Sequence, residues 1–244
     1  MQGTGRGTAV EAEIQKFGAL AARWWDPSGP MKPLHRMNPL RTGWIARRIA
    51  KAHGRQGTDL SGLTLLDVGC GAGLASEAFA RMGARVTGLE AAPEALAAAR
   101  DHAASGGLAI DYRDGTPEML AAEGMAFDAV VSLEVIEHVE DRDAFLAALA
   151  GLVKPEGQVF LSTLNRTARS FLMAKLGAEY LLRLLPIGTH DWRMFVTPGE
   201  LGTGLRRAGL AVTDMAGMSM DPLTGRWRES RDLGVNYLVM AEKA

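Results

Sequence analysis

The sequence predicts an α/β fold with a seven-stranded, mostly parallel sheet, an N-terminal helical segment and a helical insertion after the fifth strand. Three observations carry this. Leu65-Leu66-Asp67-Val68 reads as a buried parallel strand, and Gly69-Cys70-Gly71-Ala72-Gly73 turns it into a helical run, Leu74 to Met82. A second strand, Arg85 to Glu90, ends in a carboxylate 21 positions after Gly69. Apolar runs and helical runs then alternate, which implies a doubly wound sheet with right-handed crossovers.

Composition bounds the rest. The chain has 244 residues, 47% of them hydrophobic, enough for one α/β domain with a small appended element. A net charge of −1 gives no global pointer to nucleic acid. A single cysteine excludes an intrachain disulfide and a multi-cysteine zinc site. Cys70 sits inside the glycine turn, where a small side chain packs. No signal peptide is evident and no apolar run is long enough to span a bilayer, so a cytoplasmic location is expected.

In chain order, residues 1–10 read as a disordered N-terminus, with a Gly/Thr-rich stretch from Gly3 to Thr8. Residues 11–60 form a helical lid segment ahead of a domain at 61–244. Within it, 11–26 is a helix ended by Asp26-Pro27-Ser28-Gly29-Pro30. Met31 to Arg41, with two prolines, reads as an ordered loop, and Thr42 to Ala52 as a second helix. Such a segment either folds over a ligand as a lid or packs on the sheet edge. Trp24 and Trp25 are core or pocket wall on those two readings. After Glu90, Pro93 opens a helix to about Ala104. Strands follow at Leu108–Arg113 and Phe127–Leu133, then a helix Asp141–Leu152, a turn Lys154–Gly157 and a strand Gln158–Thr163. Pro198–Ala208 is helical. Leu210–Met215 and Asn236–Glu242 read as a last, antiparallel pair at the sheet edge.

The glycine turn and Glu90 form a nucleotide site. Gly69, Gly71 and Gly73 let the backbone turn sharply and lie against a ligand, and the next helix presents free N–H groups there. An acid at the tip of the second strand can accept both ribose hydroxyls of an adenosine. Asp114, at the tip of the third strand, either reaches an adenine or caps the turn. Gly69, Glu90, Asp114 and Leu133 all fall at carboxyl ends of strands, where such sheets bind ligands.

Glu134-Val135-Ile136-Glu137-His138 follows the fourth strand. As a helical turn it would put Glu134, Glu137 and His138 on one face. Two carboxylates and an imidazole can hold a divalent cation (Mg or Zn) or supply a general base, with His138 and Glu137 as candidates. Alternatively the turn only ends the strand and orients a ligand. Asn165 to Val196 is an unusually long insertion. Arg166, Arg169, Lys175 and Arg183 are interleaved there with Phe171, Leu172, Met173, Leu176, Tyr180 and further leucines. This suits either an anionic membrane surface, through residues 165–187, or a wide core stripe. His190 follows in Gly188-Thr189-His190-Asp191.

The spacing G-x-G-x-G, preceded by Asp67, resembles the first motif of class I S-adenosylmethionine-dependent methyltransferases and departs from the G-x-G-x-x-G of dinucleotide sites. With Arg23-Trp24-Trp25-Asp26, Pro33-Leu34-His35-Arg36-Met37-Asn38-Pro39-Leu40-Arg41, Glu134 to His138, Ser162-Thr163-Leu164-Asn165-Arg166 and Gly188 to Asp191, the chain resembles the ubiquinone-biosynthesis O-methyltransferase family from about Ile14 to Tyr237. The resemblance implies a Rossmann-like methyltransferase sheet and transfer of a methyl group from S-adenosyl-L-methionine to a phenolic hydroxyl of polyprenyl catechol-type lipids, at two steps of one pathway. It implies that Arg41 holds the cofactor's carboxylate end, that Gly69 faces its amino-acid part, that Glu90 binds the ribose and that Leu133 contacts the cofactor. It links Glu134, Glu137 and His138 to a divalent metal in mitochondrial relatives, and the insertion to peripheral contact with the inner face of the cell membrane. Other ubiquinone-biosynthesis proteins are the implied partners. Glu90 departs from the Asp of many members, which lengthens the arm to the ribose. Competing expectations are an NAD-dependent dehydrogenase, a non-catalytic cofactor-binding accessory subunit of a membrane biosynthetic complex, and methyl transfer to carbon.

Overall fold

A computed structural model describes residues 8, 10–172, 192–221 and 224–244. The N-terminal segment holds α1 (Glu11–Leu20), a 3-10 turn (Ala21–Arg23) and α2 (Lys32–Ala52). The alternating part follows: β1 (Thr64–Val68), α3 (Leu74–Arg81), β2 (Arg85–Glu90), α4 (Pro93–Ser105), β3 (Asp111–Asp114), α5 (Pro117–Ala122) and β4 (Phe127–Leu133). A 3-10 turn (Ile136–His138), α6 (Arg142–Leu152), β5 (Val153–Leu164) and the short α7 (Ala168–Phe171) come next. The chain ends in α8 (Pro198–Arg207), β6 (Leu210–Met220), β7 (Trp227–Ser230) and β8 (Asn236–Lys243).

Among the described residues these strands form one sheet, ordered β3-β2-β1-β4-β5-β8-β6-β7. The first five in that order are parallel, and β8, β6 and β7 pair antiparallel. Period-two alternation along β1 sends Leu65 to one face and Leu66 to the other. Leu66, Val130, Phe145, Leu149 and Leu205 pack the face under α6 and α8. Leu65, Val131, Phe160, Phe79 and Trp44 pack the face under α2 and α3. The core therefore lies on both sides of the sheet and leaves the strand ends for a site.

The structure corrects several expectations. Met31 to Arg41 is no loop: Lys32–Ala52 is one helix, with Pro33 in the first turn and Pro39 inside it. Proline is harmless in a first turn, but Pro39 removes one intrahelical bond. The helix persists because its inward face, including Met37, Asn38, Arg41, Trp44 and Ile49, is buried. The sheet has eight strands, not seven, because Trp227–Ser230 adds an edge strand to β6. That stretch is too short and polar to show a strand pattern. The last two expected strands do pair antiparallel, but β8 is interior, between β5 and β6. Lys154–Gly157 lies within β5, across a register shift opposite Phe127 and Ala129. Residues 1–7 and 9 of the expected N-terminal tail lie outside the described residues, while Thr8 donates to Glu118 Oε1 at 3.0 Å. No helix among the described residues is long and apolar enough to cross a membrane.

Candidate active site

The glycine turn is built from three left-handed residues, with φ of 71° at Gly69, 55° at Gly71 and 87° at Gly73. Other residues resist that region, so alternation with glycine is what lets the turn exist. The Gly69 N–H donates to the Leu89 carbonyl at 2.8 Å. The Gly71 N–H donates to Glu90 Oε2 at 2.9 Å, while Oε1 accepts from the Ala91 and Ala92 N–H groups, each at 2.9 Å. Burial pushes the Glu90 carboxyl above its usual range, and these three N–H groups oppose the rise. Glu90 thus sits between the ends of β1 and β2, where a ribose would lie. Asp114 pairs in register with Glu90 and is exposed, and its charge adds to the upward push on Glu90.

Beneath the turn, Asp67 accepts from Ser76 Oγ at 2.6 Å, and burial pushes its carboxyl up to about 6. Arg41, carried inward by α2, is 3% exposed. Its Nη2 donates to Asn38 Oδ1 at 3.3 Å, and Asn38 Nδ2 donates to the Leu74 carbonyl at 2.9 Å. Arg41 Nε and Nη1 are buried without a hydrogen-bond partner among the described residues. Burial lowers the guanidinium below its ordinary range, with Glu134 and Asp67 opposing. A buried cation with two idle donors fits a carboxylate ligand, and the flat glycine backbone fits the rest of an amino-acid-bearing nucleoside.

The acidic–histidine cluster is arranged differently from the expected helical face. Glu134 has φ 57°, so the chain leaves β4 through a left-handed residue before the 3-10 turn begins at Ile136. Its N–H donates to the Ser162 carbonyl at 3.0 Å, and its Oε1 accepts from Ser162 Oγ at 2.7 Å. Glu137 is 2% exposed and its Oε2 accepts from Thr163 Oγ1 at 2.9 Å. Burial, then the Glu134 charge, pushes the Glu137 carboxyl up to about 7, with His138 opposing. Among the described residues no group of three His, Cys, Asp or Glu side chains forms a metal site, so a divalent cation at Glu134, Glu137 and His138 is not shown. His138 is half-buried, and Leu133, also half-buried, pairs with Ser162 at the end of β4.

The N-terminal segment lies against the turn. A Cβ on Gly71 would stand 2.4 Å from Trp24 Cζ2. Trp25 Nε1 donates to the Ala72 carbonyl at 2.9 Å. Both indoles thus touch the turn, and Trp24 is also buried. Sequence reading placed Gly69, Glu90, Asp114 and Leu133 at carboxyl ends of strands, and the family resemblance added Arg41; the parallel pairing of β1, β2, β3 and β4 sets those strand ends side by side. That reading missed Asn38, Ser76, Ser162 and Thr163. The Ser162–Thr163 pair was visible as two hydroxyls at the end of a strand neighbouring the Glu–His turn. His190 and most of the insertion lie outside the described residues.

A methyltransferase domain family model matches residues 66–161. A ubiquinone biosynthesis O-methyltransferase of Methylobacterium sp. (strain 4-46) is 48% identical over 97% of this chain and 97% of its own. One from Dinoroseobacter shibae is 51% identical over 95% of each chain. The chain belongs to the ubiquinone biosynthesis O-methyltransferase family. Among solved structures, a magnesium protoporphyrin IX methyltransferase of Synechocystis PCC 6803 with bound S-adenosylmethionine superposes with a TM-score of 0.61 at 18% identity, covering 98% of this chain and 100% of that one. That likeness shows the fold of S-adenosylmethionine-dependent methyltransferases, which this family shares.

The geometry makes Gly73 the least replaceable part of the turn in this family member. A Cβ there would stand 2.1 Å from Tyr112 Oη, at a φ that side chains resist. Gly73→Ala is expected to lower unfolding free energy by at least about 1–2 kcal/mol, the cost of the left-handed backbone alone, by chemical denaturation. A change under about 0.5 kcal/mol, the usual range for an unstrained surface change, would show that the turn relaxes freely.

Proposed function

We propose that the chain transfers the methyl group of S-adenosyl-L-methionine to a phenolic hydroxyl of polyprenyl catechol-type intermediates, serving both O-methylation steps of ubiquinone biosynthesis. The observation that carries this is the buried Arg41 guanidinium, with idle Nε and Nη1, set beside a glycine turn whose Gly71 N–H donates to Glu90 at the end of β2. On this reading Arg41 holds the cofactor's carboxylate, the Gly69–Gly73 backbone lies along its amino-acid part, Glu90 takes the ribose hydroxyls, Asp114 faces the adenine and Leu133 lines the site. The cofactor supplies a methyl on a sulfonium, and an oxygen attacks in line as the carbon–sulfur bond breaks. A phenol, with a pKa of about 10, attacks well only as its proton leaves. His138 is the partly exposed group that takes this proton, and the buried Glu137 carboxylate stabilises the imidazolium so formed. The proton's departure thus rests on this chain's own groups. Turnover that collapsed with chelator and returned with Mg or Zn would give that role to a bound cation instead.

Exposed Phe171, Leu172 and Met194 flank residues 173–191, which lie outside the described residues, and this supports peripheral membrane contact by the insertion.

The direct test is methyl transfer to a short-prenyl catechol, followed across pH. Glu137 is neutral below about 7 and ionised above it, so kcat should climb through that value to a plateau. Glu137→Gln should erase the climb and lower kcat by about 100-fold, within the usual span for acid–base groups, with cofactor affinity nearly unchanged. Equal losses in both would make the turn a shaper of the cofactor site. Absence of any turnover would favour an accessory subunit, and a methylated ring carbon would redirect the chemistry. Arg41→Met should weaken cofactor binding by about 100-fold, or about 2.7 kcal/mol, while the unliganded protein keeps or gains stability, by calorimetry and denaturation. Arg169→Glu with Lys175→Glu should reduce sedimentation with anionic liposomes; unchanged sedimentation would remove the membrane role of the insertion.

A further inference from the structure

The strap between α1 and α2 is held at both ends by ordinary packing. At one end Ile14 of α1 packs on Ala92, which caps α4, and on Ala95 within it. At the other, Asn38 of α2 bonds the first residue of α3. Between them, Ala21 to Met31 crosses the glycine turn, with Trp24 and Met31 packed on Ala72. The polar anchor in the middle is Trp25.

The Trp25 indole has two fixed points. Its Nε1 donates to the Ala72 carbonyl at 2.9 Å. Its face lies flat on the His102 imidazole, with ring centroids 3.4 Å apart and planes 3° from parallel. His35 meets the same indole edge-on at 5.9 Å. His102 projects from α4, and its Nδ1 stands 2.6 Å from Glu77 Oε1. Glu77 is fully buried on α3, and its other oxygen accepts from Arg81 at 2.7 Å. A carboxylate only accepts, so Nδ1 is the donor, and that bond fixes the plane of the imidazole. The indole lies flat on that plane, so Glu77 acts on the strap through the ring it orients.

We propose that His102 is a positioning residue: clamped by Glu77, it holds Trp25, and with it the strap from Ala21 to Met31, closed over the glycine turn and the cofactor bound there. The inference rests on the cofactor site assigned above and adds the device that retains its ligand. A residue in this role governs how long the cofactor stays and leaves the chemical step alone. Its loss shows in the cofactor's KM and in the exchange of strap amides, with kcat at saturating cofactor preserved.

The experiment compares wild type, His102→Ala and His102→Phe by hydrogen exchange over residues 20–31 without cofactor, by titration with S-adenosyl-L-methionine and by steady-state turnover. In His102→Ala, strap protection should fall, the cofactor's KM should rise about ten-fold and kcat should stay within about two-fold. Phenylalanine keeps a ring against Trp25 and should restore most of the protection and affinity. Strap exchange and KM equal to wild type in His102→Ala would overturn the latch, as would a phenylalanine variant no better than alanine. A wild-type chain that binds no cofactor would instead overturn the cofactor reading, while strap exchange would still decide whether His102 holds the strap.

Discussion

A guanidinium buried without enough partners is the constraint on which the site depends. Arg41 enters the interior on α2, where burial penalises its charge and Glu134 and Asp67 oppose that penalty. One neutral acceptor, Asn38 Oδ1, occupies one of its nitrogens. An uncompensated buried cation costs several kcal/mol, so it persists where a ligand or the surrounding charge makes good the loss. Because α2 belongs to the N-terminal segment, the sheet alone cannot present this charge. Docking of α2 is therefore what brings this charge beside the glycine turn.

The same coupling runs through the glycine turn. Its inner side is fixed by Leu89 and Glu90 of the neighbouring strand, and its outer side is touched by Trp24 and Trp25. Tyr112, from β3, stands where a side chain on Gly73 would be, so the turn is thin by necessity. A backbone this thin can be contacted by a ligand on one side only if something else closes it. In this chain the indoles do that, and the α3–α4 pair stands behind one of them through Glu77 and His102.

Sequence reading recovered what strong burial imposes. Strands β1, β2 and β4 lie inside the sheet and read as apolar runs, so their ends, and with them Gly69, Glu90 and Leu133, were legible. Three kinds of feature were not. The helix through Pro39 was hidden because local propensity opposes it and only tertiary burial of Trp44, Ile45 and Ile49 holds it. The edge strand Trp227–Ser230 was hidden because its pairing to β6, not its side chains, defines it. The left-handed backbone at Glu134 was hidden because no residue type announces it: the motif suggested one helical turn, and the chain instead leaves β4 through a positive φ before a 3-10 turn at Ile136–His138. The Trp25–His102 stack joins residues far apart in sequence, where no spacing rule applies.

The carboxylates around the site share one further property. Transfer of a methyl from a sulfonium destroys a positive charge, so free carboxylates beside the donor would stabilise the reactant more than the transition state and slow the step. Three acids of the site are each blunted in a different way. Glu90 spends its charge on three backbone N–H groups. Asp67 is bonded to Ser76, and burial holds its carboxyl at about 6. Glu137 is pushed to about 7 and bonded to Thr163. On the proposed cofactor reading, this arrangement would keep acceptors for hydroxyls and protons while limiting the field cast on a cationic donor. Arg41, buried beside this group, acts in the same direction by opposing the charges of Asp67 and Glu134.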